Sequence, residues 1–234
     1  HVDVGRAHVD LGPQHMFTIR KFARAHAGLS FVHFQSAFLR QTDDITGAVR
    51  QARDCAQRGV DLDPLDPFVN FTMGRTYWLE GDLDRSLAWL ERATSLSPNY
   101  AQGIYARAWT ELMADTAASA RQHVDLAMRL SPLDPLYYAM LSLRGLTHIA
   151  AGDEQAGAEW AERGARSPGA HALIAMIAAA AQALAGNDDE AQRWALDVRS
   201  RNPALSRTDF FHAFPMRSTS MQTQFSAALE SLGF

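Results

Sequence analysis

The chain has 234 residues, 47% hydrophobic and 21% charged, the make-up of an ordinary soluble globular protein with room for one extended array or two small domains. Its formal net charge is -4 and no run of basic residues appears, so a nucleic-acid surface is excluded. The one cysteine, Cys55, rules out a disulfide framework and a cysteine-based zinc site, and in its alanine-rich surroundings reads as a small half-buried residue.

Residues 1–19 join no pattern and read as a loose N-terminal segment. No charged head followed by an apolar stretch marks a signal peptide, and the chain reads as cytoplasmic. His1, His8 and His15 recur in a segment containing Gly5 and Pro13, a spacing that fits no metal site. An apolar, aromatic helix follows from about Arg20 to Phe38, with a partner over roughly Ile45 to Val60. His26 and His33 lie on one face of the first helix about 10 Å apart, too far for a single metal ion with bonds of about 2 Å. Asp61, Asp63 and Asp66 suggest a calcium loop, but Asp66 and Thr72 stand where that loop requires glycine and glutamate. They read instead as helix caps and turn formers.

From Asp66 to Tyr100 the sequence describes two short helices folded back on each other. Asp66 suits an N-cap and Pro67 the first turn. Gly74 allows a close helix approach beside Tyr77. Gly81 is suited to end the helix in the left-handed conformation and Asp82 to cap the next. Leu83, Leu87, Leu90 and Ala93 give that second helix an apolar stripe before Ser97 and Pro98 end it. Pro64, Pro98 and Pro132 recur at intervals of 34, as do Gly81 with Asp115 and Gly152 with Gly186. Such a period belongs to an array of helix-turn-helix units, each burying its apolar face against its neighbours.

The landmarks resemble the tetratricopeptide repeat. Its small, aromatic, alanine and proline positions fall on Gly74, Tyr77, Ser86, Leu90, Ala93 and Pro98, with Met73 as the long apolar residue and Asn70 as a poor match for the bulky one. The next unit places Ile104, Ala108, Ala120, Val124, Ala127 and Pro132, and two further units follow around Gly145, Gly152, Ala161 and Gly164, and around Ala179, Gly186, Ala191, Ala195 and Pro203. A Pro-Leu-Asp-Pro insertion after Ser131 shifts Gly152 off the strict period. The charge-free run HALIAMIAAAAQALA, between Gly169 and Gly186, reads as a buried helix and not a membrane span.

The resemblance implies an all-α, right-handed superhelix of about five helix pairs over residues 20–203, with a C-terminal cap over 204–234. A short helix within SRTDFFHAFP and an amphipathic one from Thr219 to Leu232, carrying Met221, Phe225, Ala228 and Leu229, supply that cap. This tail, and the Asp-Pro-Leu-Asp-Pro and Ser-Pro-Leu-Asp-Pro turns, are similar to the C-terminal repeat regions of bacterial winged-helix transcriptional activators and class III adenylate cyclases. That similarity implies a regulatory or sensory part of a bacterial signalling protein.

In the repeat family the first helix of each pair lines a concave face. Carried over, the implied binding residues are Phe31, Phe34, Phe71, Arg75, Trp78, Tyr105, Trp109 and Leu112, with Phe68, Leu79, Met113, Leu146 and Met176 on the same face. Aromatic anchors with an arginine are what binding hot spots favour, so Trp78 and Trp109 are expected to stand open and dominate recognition. The alternative is that the C-terminal helix or the tail fills the groove. An open trough suits a protein or peptide partner; a closed pocket of roughly 300–1,000 Å³ suits an apolar small molecule. Ala27, Phe31, Thr72, Gln102 and Ala106 stand where chaperone-tail clamps of the family hold lysine, asparagine and arginine, so that partner class is not expected. No GxSxG, GxGxxG, phosphate loop or HExxH is present, and neither catalysis nor a cofactor or metal is expected. Oligomeric state leaves no mark in the sequence.

Overall fold

The computed structural model describes residues 22–234, and the segment 1–19 with His1, His8 and His15 lies outside the described residues. Within them are twelve helices. Ten form antiparallel neighbours in five successive pairs: α1 (Ala23–Phe38) with α2 (Ile45–Leu62), α3 (Pro67–Leu79) with α4 (Leu83–Leu96), α5 (Ala101–Met113) with α6 (Ala117–Leu130), α7 (Tyr137–Ile149) with α8 (Glu154–Ala165), and α9 (Ala172–Leu184) with α10 (Asp188–Arg201). Two more, α11 (Arg207–Ala213) and α12 (Thr219–Ser231), end the chain. The result is an all-α superhelical repeat array, as the period implied.

The turn inside each pair is one device repeated. Gly81, Asp115, Gly152 and Gly186 adopt φ of 72°, 70°, 79° and 75°. The amide of the residue that follows each of these then donates back to a carbonyl in the helix's last turn: Asp82 to Tyr77 (3.0 Å), Thr116 to Glu111 (2.8 Å), Asp153 to His148 (3.0 Å) and Asn187 to Gln182 (2.9 Å). These bonds satisfy carbonyls that the helix end would leave orphaned. Aspartates start the neighbouring helices, Asp82 accepting from the Arg85 amide (3.1 Å), Asp153 from Ala156 (3.2 Å) and Asp66 from Phe68 and Val69 (2.8 and 3.1 Å). The apparent misfit, Asn70, is fully buried. Its amide donates to the carbonyls of Pro64 and Asp66 at 2.9 and 2.8 Å, tying the loop between pairs to α3, a task no apolar residue could perform.

Packing within pairs depends on small residues at the contact. A Cβ placed on Gly74 would sit 2.7 Å from Leu90 Cγ, and one on Gly145 2.7 Å from the Gly157 carbonyl oxygen. In α9 every residue from Leu173 to Gln182 is buried, because α7, α8, α10 and α12 all pack on it. No helix among the described residues is long and apolar enough to cross a membrane. The buried Met221, Phe225, Ala228 and Leu229 of α12 belong to this packing.

Gly74→Leu forces a large side chain against Leu90 and should lower stability by about 1–3 kcal/mol in denaturant unfolding. Asp115→Gly relieves a left-handed non-glycine residue and should raise it by up to about 1 kcal/mol. An unchanged midpoint for the first variant would show that the helix contact does not have this register.

Candidate functional site

The odd-numbered helices up to α9 turn their inner faces toward one cleft. Phe31 and Phe34 of α1, Phe71, Arg75 and Trp78 of α3, and Tyr105 and Trp109 of α5 line it together, as the repeat register implied. Leu112 does not; it is buried in the neighbouring core. The far wall comes from Tyr138 of α7 and from His171 and Ile174 at the start of α9. Phe38, Gln35 and Leu39 extend the α1 side, and Phe214, just beyond α11, covers part of the opening.

The expectation that Trp78 and Trp109 stand open is not met. They are 2% and 3% exposed. The Trp78 Nε1–H donates to the Ala213 carbonyl oxygen at 3.0 Å. Phe214 stacks on Trp109 with ring centroids 5.2 Å apart and meets Phe38 edge-on at 6.0 Å. The chain continues as a non-helical strap: the Arg217 amide donates to the Met113 carbonyl at 2.8 Å, and the Arg217 guanidinium grips both carboxylate oxygens of Asp84 at 2.7 and 2.9 Å. Two adjacent indoles facing water would expose a large apolar area, and the residues after α11 remove it. Phe214 and His171 lie outside the repeat register, so spacing gave no sign of them; the short aromatic run Phe210–Phe214 before Pro215 was the available signal.

What remains beneath the strap is a narrow cleft of ≈ 50 Å³. At Phe38, Leu39 and His171 it meets a second, wider hollow of ≈ 330 Å³, bounded also by Leu173, Leu205 and Arg201.

The cleft's polar groups are few and oddly unsatisfied. Arg75 is 8% exposed, and its guanidinium carbon lies 4.2 Å from the Phe34 ring centre and 5.2 Å from that of Trp78. Among the described residues it makes neither a hydrogen bond nor an ion pair. Burial pushes it down to about 10, still charged at neutral pH, and the nearby Tyr105 phenol opposes the shift only weakly. Burial also pushes the Tyr105 hydroxyl well above the usual phenol range. The Trp109 indole N–H lies beside that hydroxyl without hydrogen-bond geometry, and His171 Nδ1 is likewise buried and unpartnered. Burial alone brings His171 down to about 4, so its imidazole is neutral at pH 7. Among the described residues the lining holds no carboxylate, thiol or aliphatic hydroxyl beside it.

Chains of known structure share this architecture. One is similar to PilW, a type IV pilus biogenesis factor (TM-score 0.61, 18% identity, 86% of this chain and 92% of that one). Another is a thermophilic tetratricopeptide repeat protein of Thermus thermophilus (TM-score 0.59, 16% identity, 84% and 99%). A third belongs to the APC/C hetero-tetramer Cut9–Hcn1 (TM-score 0.66, 10% identity), where 92% of this chain matches 46% of the other. At these identities the likeness is one of fold. No protein-family profile and no curated protein matches the chain.

Trp78→Ala or Trp109→Ala should cost about 3–5 kcal/mol of stability, since each indole now counts as core; near wild-type melting of both would show the strap to be absent in solution. His171 binds a proton more readily unfolded than folded. Its contribution is therefore complete above pH 6.5 and is lost as pH falls toward about 4, at most about 3 kcal/mol. His171→Leu should flatten the pH dependence of the unfolding free energy between those limits. His148, also held below its usual value by burial and then by Arg121 and Arg144, leaves a residual slope in both proteins. Identical pH profiles would show that the ring is solvated.

Proposed function

We propose that this chain is a non-enzymatic interaction module, the regulatory part of a cytoplasmic bacterial signalling or transcription-regulating protein, and that its concave face recognises an apolar protein segment. One observation carries the reading: such a segment already lies there. The run from Phe210 to Arg217 is held as a peptide ligand would be, with an indole donating to its backbone at Ala213, an aromatic anchor at Phe214, a backbone hydrogen bond from Arg217 and a bidentate ion pair at its end. Support also comes from Cut9, a structural neighbour solved in a hetero-tetramer with Hcn1. A partner segment with the same pattern, an aromatic residue followed by arginine, would compete with the strap.

A second reading has its own support. The strap leaves a covered aromatic cleft that is small by itself, but it opens into a hollow of ≈ 330 Å³, the size of pockets that enclose small molecules. In that reading the chain senses an apolar ligand.

A tethered segment acts at an effective concentration in the millimolar range, so the wild-type chain hides its own site. Removing the exposed Arg217–Asp84 pair with Arg217→Ala, alone and with Phe214→Ala, loosens the strap. A synthetic peptide of residues 210–217 should then bind the loosened chains at least about tenfold more tightly than wild type in fluorescence anisotropy. If the Arg217→Ala chain melts cooperatively and neither it nor the double variant takes up the peptide, the concave face is not a segment-binding site.

A further inference from the structure

Arg75 is the odd member of the cleft. Among the described residues, the cations around the two hollows are matched: Arg40 pairs with Asp209 (2.7 Å), Arg201 with Asp197 (2.9 Å) and Arg217 with Asp84 (2.7 Å). Arg75 is more deeply buried than any of them, with the ring faces of Phe34 and Trp78 and the neutral Tyr105 phenol beside it and no carboxylate. A largely desolvated charge without a counter-ion is costly, and the attraction of aromatic faces does not supply the hydrogen bonds that a guanidinium gives up as it leaves water. Its five N–H donors have no acceptor in the protein. Two other polar atoms of the lining, Trp109 Nε1 and His171 Nδ1, are also without partners. A fold that keeps an unanswered cation, flanked by unsatisfied polar atoms, inside an aromatic cleft has the complement of an anion built into it.

We infer that the cleft binds a small organic carboxylate with an apolar body, the carboxylate accepting two parallel hydrogen bonds from Arg75. This rests on the small-molecule reading of the cleft and names the chemistry of its ligand. The planar guanidinium fork matches a carboxylate edge. One cation balances one negative charge, which disfavours a phosphate dianion whose extra charge would be stranded among Phe34, Phe71 and Phe214. The narrow space beside Arg75 suits a small head group, and the wider hollow beyond Phe38, Leu39 and His171 offers an acyl chain an apolar side along Leu173 and Leu205, beside the polar rim of Arg40, Arg201 and Asp209. A highly charged acidic peptide tail has no place in either chamber.

The test compares octanoate with octanamide, an isosteric pair that differs in charge, with inorganic phosphate as an anion lacking a body. Binding to the full chain is followed by calorimetry and by the fluorescence of Trp78 and Trp109 in a low-chloride buffer. Octanoate should bind about 10- to 100-fold more tightly than octanamide, the range expected of hydrogen bonds to a charged group, and phosphate should not bind. Arg75→Met should melt at or above the wild-type temperature, since it removes an unpaired buried charge, and should reduce octanoate to the affinity of octanamide. Equal binding of acid and amide to wild type, undiminished octanoate binding by Arg75→Met, or binding of phosphate alone would each overturn the assignment of a carboxylate; in the first two cases the cleft would remain a ligand site. If neither acid nor amide binds, the small-molecule reading falls with it.

Discussion

The structure depends on how closely the two helices of a pair approach. At Gly74 the space toward Leu90 is too small for a methyl group, and at Gly145 the obstacle is the backbone of α8. Holding the pairs this near fixes the rotation of each first helix about its own axis. That rotation sends Phe71, Arg75 and Trp78, and then Tyr105 and Trp109, to one side of the array. The aromatic cleft is thus a by-product of close packing elsewhere: a shift of one residue in register would turn each inward side chain by about 100° and scatter the site.

What could be read in the sequence follows from this. Gly81, Asp115, Gly152 and Gly186 mark left-handed turns because few residues tolerate that conformation, and the helix pairs follow from them. The inward positions were legible in part for the same reason: Phe31, Phe34, Phe71, Arg75, Trp78, Tyr105 and Trp109 line one cleft, while Phe68, Leu79, Leu112, Met113, Leu146 and Met176 of the same expected face do not. That the tail could cover the cleft stood open in the sequence, but which residues do so was not legible. Phe214 reaches Trp109 across more than 100 residues of chain through a segment with no period, held by ring stacking and by hydrogen bonds to backbone that leave no pattern in the sequence. His171 enters the cleft from the cap of α9, a position to which the repeat assigns no inward side chain. Asn70 looked wrong as a core residue because the pattern records apolar volume and not the carbonyls of a loop that need a donor.

The cleft also shows two kinds of burial with opposite consequences. Trp78 and Trp109 lose water and gain a hydrogen bond, a stacked ring or both, so their burial stabilises. Arg75 loses water and gains ring faces alone. Trp78 is fully answered, Trp109 is stacked but leaves its N–H unpartnered, and Arg75 is answered least, within one wall. An interior refined only for stability would have replaced Arg75 with methionine or leucine, which fill a similar volume without a charge.

In an open repeat array each unit touches only its neighbours, so the ends fray independently and stability accumulates unit by unit. Here Arg40, at the turn of the first pair, is joined to Asp209 at 2.7 Å and to His212 at 3.2 Å, and Arg217 is joined to Asp84 of the second pair. The last segment of the chain is therefore fastened to the first two pairs across the concavity. The array is a clasped ring of contacts and not a line. Loosening the first pair strips a partner from the last segment, and releasing the last segment opens the first pair. Amide hydrogens at the two ends should then exchange together in a shared opening, where an unclasped array would show a gradient from the tips inward.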